Sequence, residues 1–218
     1  MTLLSVLAIV LAAVVAICIV WRVAQWPCPF WLVPLLENPY FQAVASAHLL
    51  LQRAGVRPGM RVLDAGCGPG RLTLPTAERV GADGHVTALD LQAGMLAKLR
   101  GRLAERGIGN VDLVQAGLGS GVLPAAQFDV AFLVTVLGEV PDQLAALREI
   151  RAALRPGGVL SITEVLPDPH YQSIARVRQL ASQTGFREQQ LFPGWVSFTM
   201  NLVRPADEPA VVGQPAAA

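Results

Sequence analysis

The chain has 218 residues, of which 15% are charged, and its formal net charge is +1. This near-neutral balance gives no broad electrostatic reason to expect a nucleic-acid partner. The three cysteines, Cys18, Cys28 and Cys67, show no CxxC spacing, so neither a disulfide framework nor a zinc site is expected. The mean hydropathy of +0.46 is high for a soluble domain, and the first forty residues account for much of it.

Residues 2–21, TLLSVLAIVLAAVVAICIVW, carry no charged side chain. Twenty helical residues span about 30 Å, the thickness of the hydrocarbon core of a bilayer. No basic residue precedes the run, and it ends in large side chains where a cleavage site would have small ones. Both features favour a membrane anchor over a cleaved signal peptide or a buried helix. Because Arg22 follows the run, we expect residues 1–23 to anchor the chain, with the remainder in the cytoplasm.

Residues 24–54 are expected to form a membrane-proximal collar and a lid helix. Four prolines between residues 24 and 40 argue against a long helix there, and the tryptophans nearby suit a lipid–water interface. A helix over about 41–54 follows and is ended by Gly55.

From residue 55 onward, short apolar strands alternate with amphipathic helices, a pattern that predicts a parallel sheet covered by helices on both faces. Two further strands, separated by the letters FPGW, predict an antiparallel C-terminal hairpin. We expect one domain over 55–204 and a disordered tail over 205–218. The strands are expected at 61–64, 85–90, 111–115, 128–135, 159–165, 186–191 and 195–203, and the helices near 71–82, 92–106, 142–154 and 172–184.

A glycine-rich stretch, VLDAGCGPGR, lies between the first predicted strand and the first predicted helix. Ligands of open α/β sheets bind at the carboxyl ends of strands, and glycines there let a ligand approach the backbone. Asp90 ends the second predicted strand, where a carboxylate can accept hydrogen bonds from both ribose hydroxyls or cap the next helix. Loop and acid together predict an adenosine-type ligand.

The spacing of the glycines narrows the choice of ligand. It is G-x-G-x-G, with Arg71 where a dinucleotide fingerprint has its last glycine, which disfavours a nicotinamide cofactor. A P-loop is excluded because no GK[ST] follows.

These residues resemble class I S-adenosylmethionine-dependent methyltransferases, particularly the branch that includes the menaquinone and ubiquinone biosynthesis enzymes. The resemblance covers roughly 55–204 and rests on VLDAGCGPG, VTALD, FDVAFLVTVLGEVPD, ALREIRAALRPGGVL and the final hairpin. It implies a Rossmann-like α/β fold with a seven-stranded, mostly parallel sheet, here preceded by the expected transmembrane helix. It also implies S-adenosyl-L-methionine as the cofactor and methyl transfer as the activity.

By position, the resemblance implies that the loop and the acid at its start hold the methionine part of the cofactor, and that Asp90 holds the ribose. Leu91 and Met95 would flank the adenine, and the end of the fourth strand, Val134 and Thr135, would pass under the sulfonium. The family often has an acid after the third strand; here backbone groups would serve, so weaker adenine selection is expected. The expected cofactor-binding residues are Asp64, Gly66, Gly68, Gly70, Asp90, Leu91, Met95, Gly117, Leu118 and Thr135.

The acceptor side is less defined by the sequence. A sulfonium activates its own methyl group, so the protein has to align the acceptor, and a base helps only for a hydroxyl or an acidic carbon. Each candidate base also has a plain structural reading, such as a turn residue or a solvent-facing side chain, and Glu139 stands where relatives often carry histidine. The candidates are Glu164, Glu139, His170 and Tyr171, with Tyr40 and His48 from the lid helix.

An anchored enzyme suggests an acceptor in or near the bilayer, such as a quinone precursor, a phospholipid amine or an apolar thiol. The sequence leaves the accepting atom open. Two other classes remain open as well: a membrane-tethered protein that binds the cofactor without catalysis, and a nicotinamide-dependent oxidoreductase, which Arg71 disfavours.

Overall fold

A computed structural model describes residues 2, 5–6 and 39–206. The expected anchor over 1–23 lies almost wholly outside these residues, as do most of the collar and most of the expected tail. Among the residues described, no helix combines the length and the apolar composition needed to cross a bilayer.

A seven-stranded sheet forms the centre of the domain. Its strands are β1 (Arg61–Ala65), β2 (His85–Asp90), β3 (Val111–Gln115), β4 (Phe128–Val134), β5 (Leu154–Val165), β6 (Arg187–Pro193) and β7 (Ser197–Val203). Their order in the sheet is β3-β2-β1-β4-β5-β7-β6. The pairs among β1 to β5 are parallel, whereas β7 runs antiparallel to both β5 and β6. The expected sheet with its C-terminal hairpin is therefore confirmed.

The helices follow the predicted pattern except at the lid. They are α1 (Pro39–Val44), α2 (Ala47–Arg53), α3 (Thr73–Val80), α4 (Ala93–Arg106), α5 (Gln143–Ala153) and α6 (Ile174–Gln183). The single lid helix expected over about 41–54 is wrong, because α1 ends before Ser46. Ser46 is extended and its Oγ accepts a hydrogen bond from the Leu49 backbone N–H at 3.3 Å, so it caps the start of α2.

The core lies on both faces of the sheet, as expected of parallel strands with alternating side chains. On one face Leu63 belongs to a buried cluster with side chains of α5 and α6. On the other face its neighbour Val62 packs in a cluster with side chains of α2 and α3. Because helices occupy both faces, the loops at the carboxyl ends of the parallel strands are left to build a site.

Polar contacts fasten α2 to the hairpin. The Arg53 guanidinium donates a hydrogen bond to Thr199 Oγ1 at 2.9 Å and lies 4.9 Å from the centre of the Phe192 ring. The Asn201 side-chain amide donates to the Arg53 carbonyl at 2.7 Å. At the other end of the lid, Arg71 donates to the carbonyl of Ala45 at 2.6 Å. The lid is thus tied both to β7 and to the glycine loop.

Candidate active site

The glycine loop is fixed to the carboxyl end of the neighbouring strand. The backbone N–H groups of Gly66 and Cys67 both donate to the carbonyl of Leu89, at 2.7 and 3.0 Å. The loop glycines have positive φ angles, +75° at Gly66, +53° at Gly68 and +94° at Gly70. Residues with side chains rarely adopt such angles, so the loop needs glycine at these positions.

The three glycines differ in what surrounds them. A Cβ added to Gly66 would lie 2.4 Å from Val136 Cγ2, and one added to Gly70 would lie 2.4 Å from Leu99 Cδ1. A Cβ added to Gly68 would meet no protein atom within 4 Å. Gly66 and Gly70 therefore allow close packing within the protein, whereas Gly68 presents its backbone to open space that a ligand can enter.

Asp90 borders this space and also shapes the loop. It is 7% exposed, and its two oxygens accept hydrogen bonds from the backbone N–H groups of Gly68 at 2.9 Å and Gln92 at 2.8 Å. Burial raises the pKa of Asp90, and the two N–H donors partly offset this rise. Since each carboxylate oxygen can accept a second bond, Asp90 can hold the loop and the start of α4 and still accept from a ribose.

Asp64 lies beneath the loop. It is buried, and Thr73 Oγ1 donates a hydrogen bond to its Oδ2 at 2.6 Å. Burial raises the pKa of Asp64 to about 6, although the bond from Thr73 and the charge of Arg71 act in the opposite direction. Thr73, the first residue of α3, was not predicted to belong to the site, and no spacing rule in the sequence points to it.

The residues expected to flank the adenine are brought together in part. Leu91 is 58% exposed, and a Cβ added to Gly117 would lie 3.9 Å from Leu91 Cδ1, so these two residues line one surface. Met95 is buried in α4, and Leu118 packs partly buried against the main core. Leu91 is therefore the exposed apolar side chain that an adenine ring could contact. Met95, on the helix that follows, is buried.

Thr135 follows β4 in an unusual backbone conformation. Its φ is +55°, a strained angle for a β-branched residue, and its N–H donates to the Thr163 carbonyl at 2.9 Å. This turn sends the chain to Val136, the residue that packs against Gly66. Thr135 thus lies at the carboxyl edge next to the glycine loop, as expected, and strain at such a place is typical of functional sites.

Glu164 stands one residue before the end of β5 and is 1% exposed. Its Oε2 accepts a hydrogen bond from the Gln172 N–H at 3.2 Å, whereas its Oε1 is buried without a hydrogen-bond partner. Burial raises the pKa of Glu164 to about 8, and the charges of Asp168 and Glu139 add to the effect. At neutral pH the Glu164 carboxyl group is therefore protonated in most molecules.

The other expected bases differ in their surroundings. Tyr171 is half-buried, packs edge-on against Phe198 with ring centres 6.0 Å apart, and has a pKa raised by burial and by the charge of Glu164. Glu139 is half-buried in a short 3-10 helix, Leu137–Glu139, near enough to raise the pKa of Glu164. These three side chains therefore surround one region at the carboxyl ends of β4 and β5.

His170 is instead part of a turn. It is 5% exposed, its N–H donates to Asp168 Oδ1 at 2.7 Å, and its carbonyl accepts from the Gln172 side chain at 2.8 Å. Its ring Nδ1 lies 3.8 Å from the Asp168 carboxylate. These contacts hold the loop that supplies the Gln172 N–H to Glu164, so the structure supports a positioning role for His170.

The lid candidates and the loop cysteine have other surroundings. His48 is exposed on α2, and the Tyr40 hydroxyl donates a hydrogen bond to the carbonyl of Leu166. Cys67 is buried, and burial together with Asp64 and Asp90 raises the pKa of its thiol, which leaves it unreactive. Within the described part of the chain, no three His, Cys, Asp or Glu side chains could hold a metal ion.

A glycine loop after β1, beside an acid that ends β2 in a sheet of this order, is the arrangement expected of an S-adenosylmethionine-dependent methyltransferase domain. A family model described as "Methyltransferase domain" matches residues 62–158. A ubiquinone/menaquinone biosynthesis C-methyltransferase UbiE of Shewanella sp. strain ANA-3 is 38% identical over 133 residues, which are 61% of this chain and 53% of the relative. The chain thus spans about half the length of the curated relatives it matches.

Solved structures share the fold. A SAM-dependent methyltransferase from Aquifex aeolicus superposes with a TM-score of 0.76 at 22% identity, covering 81% of this chain and 99% of that one. The cyclase SpnF superposes with a TM-score of 0.66 at 20% identity, covering 74% and 80% of the two chains. These structures show the fold. The family model and the curated relatives confirm the expected enzyme class, with S-adenosyl-L-methionine as its cofactor.

The open space at Gly68 yields a matched test. Gly68→Ala places a methyl group where the cofactor approaches, whereas Gly107→Ala at the end of α4 has a similar φ of +65° and equally free surroundings. Both variants bear the left-handed strain of roughly 1–2 kcal/mol. We expect only Gly68→Ala to weaken binding of S-adenosylhomocysteine, by at least tenfold in calorimetric titration, with urea unfolding as the measure of stability. Equal affinities in the two variants would remove Gly68 from the cofactor site.

Proposed function

We propose that the protein transfers a methyl group from S-adenosylmethionine to a small, lipophilic acceptor at a membrane surface. When bound, the cofactor supplies a methyl group activated by a positively charged sulfur. The backbone at Gly68 and the carboxylate of Asp90 would hold it at the carboxyl ends of β1 and β2. The buried, half-partnered carboxyl group of Glu164 is the observation that carries the acceptor side of this proposal.

Glu164 would act on a hydroxyl group of the acceptor. Its ionised form would take the hydroxyl proton at Oε1, the oxygen that has no partner in the protein. Loss of that proton raises the electron density of an aromatic ring, so a ring carbon can form the new bond to the methyl group. The electron pair of the broken carbon–sulfur bond would stay on sulfur. The ring would then lose the proton of the methylated carbon to solvent, and Glu164 would return the first proton to the ring oxygen.

The choice of a phenol-like or quinol-like acceptor is supported by two observations. The matched relatives are named as C-methyltransferases of ubiquinone and menaquinone biosynthesis. In this chain, Phe198 lies beside Glu164 in the sheet register and Tyr171 packs on that ring. These rings would give an aromatic acceptor a contact surface next to Glu164.

One structural neighbour supports a second candidate function, cofactor binding without methyl transfer. The cyclase SpnF has this fold and is named for a different reaction, so the fold alone does not require methyl transfer. A tethered protein that binds the cofactor without transferring a methyl group would share the glycine loop and Asp90. It would have no need for a buried, half-partnered Glu164.

Transfer of a labelled methyl group tests the proposed activity. Membranes containing the full chain are incubated with methyl-labelled S-adenosylmethionine, and quinone, phospholipid and thiol fractions are separated. We expect label in the quinone-type fraction, and membranes with the Gly68→Ala variant serve as the control for cofactor dependence. Cofactor binding without labelling of any fraction would instead support the non-catalytic function.

The pKa of Glu164 predicts how activity depends on pH. Because burial raises this pKa to about 8, the ionised base becomes scarcer as pH falls below that value. We expect kcat/KM to rise about tenfold per pH unit up to roughly pH 8 and then level off. Glu164→Gln should lower it at least about 10²-fold and abolish the rise, with affinity for S-adenosylhomocysteine unchanged. Glu105→Gln, at an exposed position of α4, is the matched control; the same loss there, or an unaltered profile in Glu164→Gln, would contradict the assignment.

We also propose that residues 1–23 anchor the chain and that the catalytic domain is cytoplasmic. The support is the uncharged run over 2–21 followed by Arg22. Alkaline carbonate extraction of cell membranes should leave the full chain in the pellet and release a variant that begins at residue 24. Release of the full chain would show that no segment of it spans the bilayer.

A further inference from the structure

Four apolar side chains at the carboxyl edge of the sheet face solvent. Trp195, in the turn between β6 and β7, is 102% exposed, and Val196 beside it is 37% exposed. Leu166, just after β5, is 40% exposed, and Tyr40 of α1 is 37% exposed. We name Tyr40, Leu166, Trp195 and Val196 the apolar rim.

Hydrogen bonds join the three segments that carry the rim. The N–H of Leu166 donates to the Val196 carbonyl at 2.7 Å, and the Tyr40 hydroxyl donates to the Leu166 carbonyl. The α1 helix, the end of β5 and the hairpin turn are thus held as one surface. Exposed apolar side chains that lie together, rather than singly, are typical of interaction sites.

The rim borders the acceptor side of the candidate site. Leu166 comes two residues after Glu164 on the same chain segment, and Val165 between them pairs with Ser197, the residue that follows Val196. Whatever covers the rim therefore lies next to the edge from which an acceptor would reach Glu164.

The chain outside the described residues indicates what covers the rim. It joins the described domain at Pro39, the first residue of α1 and the neighbour of Tyr40. Residues 22–38 can reach at most roughly 60 Å beyond the apolar run that ends at Trp21. If a bilayer holds that run, as proposed above, the domain is therefore tethered to it from the end where the rim lies.

The chemistry of the rim fits a lipid surface. Tryptophan and tyrosine are the side chains that favour the membrane interface, where the ring lies among apolar chains and the polar atom stays wet. None of the four rim side chains is charged, so attraction to anionic headgroups is not the driving force. We propose that the apolar rim docks on the bilayer and turns the acceptor edge, with Glu164, towards the lipid.

The position of Trp195 in lipid can be measured by fluorescence without any enzymatic assay. Trp21→Phe, Trp26→Phe and Trp31→Phe leave Trp195 as the single tryptophan of the full chain. In phosphatidylcholine vesicles whose acyl chains are brominated near the headgroup, we expect strong quenching and a shift of its emission to shorter wavelength. If the triple substitution weakens insertion, the difference spectrum between the unsubstituted chain and its Trp195→Phe variant isolates the same signal.

The matched control moves the tryptophan to another surface. Val122 is 48% exposed in a loop that the Glu149 carboxylate holds through the N–H of Leu123 at 3.0 Å. With Trp195→Phe and Val122→Trp in the same background, we expect no quenching by the brominated lipid. Equal quenching at both positions would mean unspecific adsorption and would overturn the proposal.

Two further outcomes would also overturn it. Quenching of Trp195 by aqueous acrylamide but not by brominated lipid would leave the rim in water. Protection from both quenchers would mean that protein covers the rim, either residues 22–38 or a second copy, which dilution of the chain in the vesicles would distinguish. Because no readout involves the cofactor, a failure here is separate from a failure of the proposed methyl transfer.

Discussion

The candidate site depends on one backbone acceptor, the carbonyl of Leu89. It accepts hydrogen bonds from two successive N–H groups of the glycine loop, those of Gly66 and Cys67. The next N–H of the loop, that of Gly68, donates to the carboxylate of Asp90, the residue after Leu89. The end of β2 therefore dictates the path of the loop after β1. A loop so constrained needs positive φ angles, and it leaves the Gly68 backbone free of side chains on the side where a cofactor can approach.

The two halves of the site are built by different means. The cofactor half uses main-chain groups and carboxylates that are already engaged in the fold, since Asp64 binds Thr73 and Asp90 binds the loop. The acceptor half uses side chains at the carboxyl ends of β4 and β5. Val136 joins them, because it follows the strained Thr135 and packs against Gly66. A substitution in the turn after β4 would thus disturb both the glycine loop and the acceptor half.

The sequence was a good guide where local pattern decides the structure. The carboxyl ends of the parallel strands and the glycine loop follow from apolar runs and glycine spacing, and Glu164 was placed correctly at a strand end. The start of β5 was not, since it lies at Leu154 and not at residue 159. The break at Ser46 was missed because the apolar pattern continues through it and a single cap decides the outcome. The roles of Thr73, Val136 and Gln172 were also missed. They come close to their partners through the order of the strands and the loops between them, which a sequence pattern does not fix.

Glu164 is difficult to explain as a stabilising residue. Burying a carboxyl group with one oxygen unpartnered costs free energy, and protonation reduces but does not remove that cost. The neighbouring polar side chain of β5, Thr163, contacts the Thr199 hydroxyl at 3.0 Å, so the sheet can supply partners to a buried oxygen. Ser161 and Asn201 also leave a buried oxygen unpartnered, but both are neutral and lie within the sheet. Only Glu164 among these combines an ionisable group with a place at the ligand-binding edge, where a partner from outside the protein can complete its hydrogen bonds.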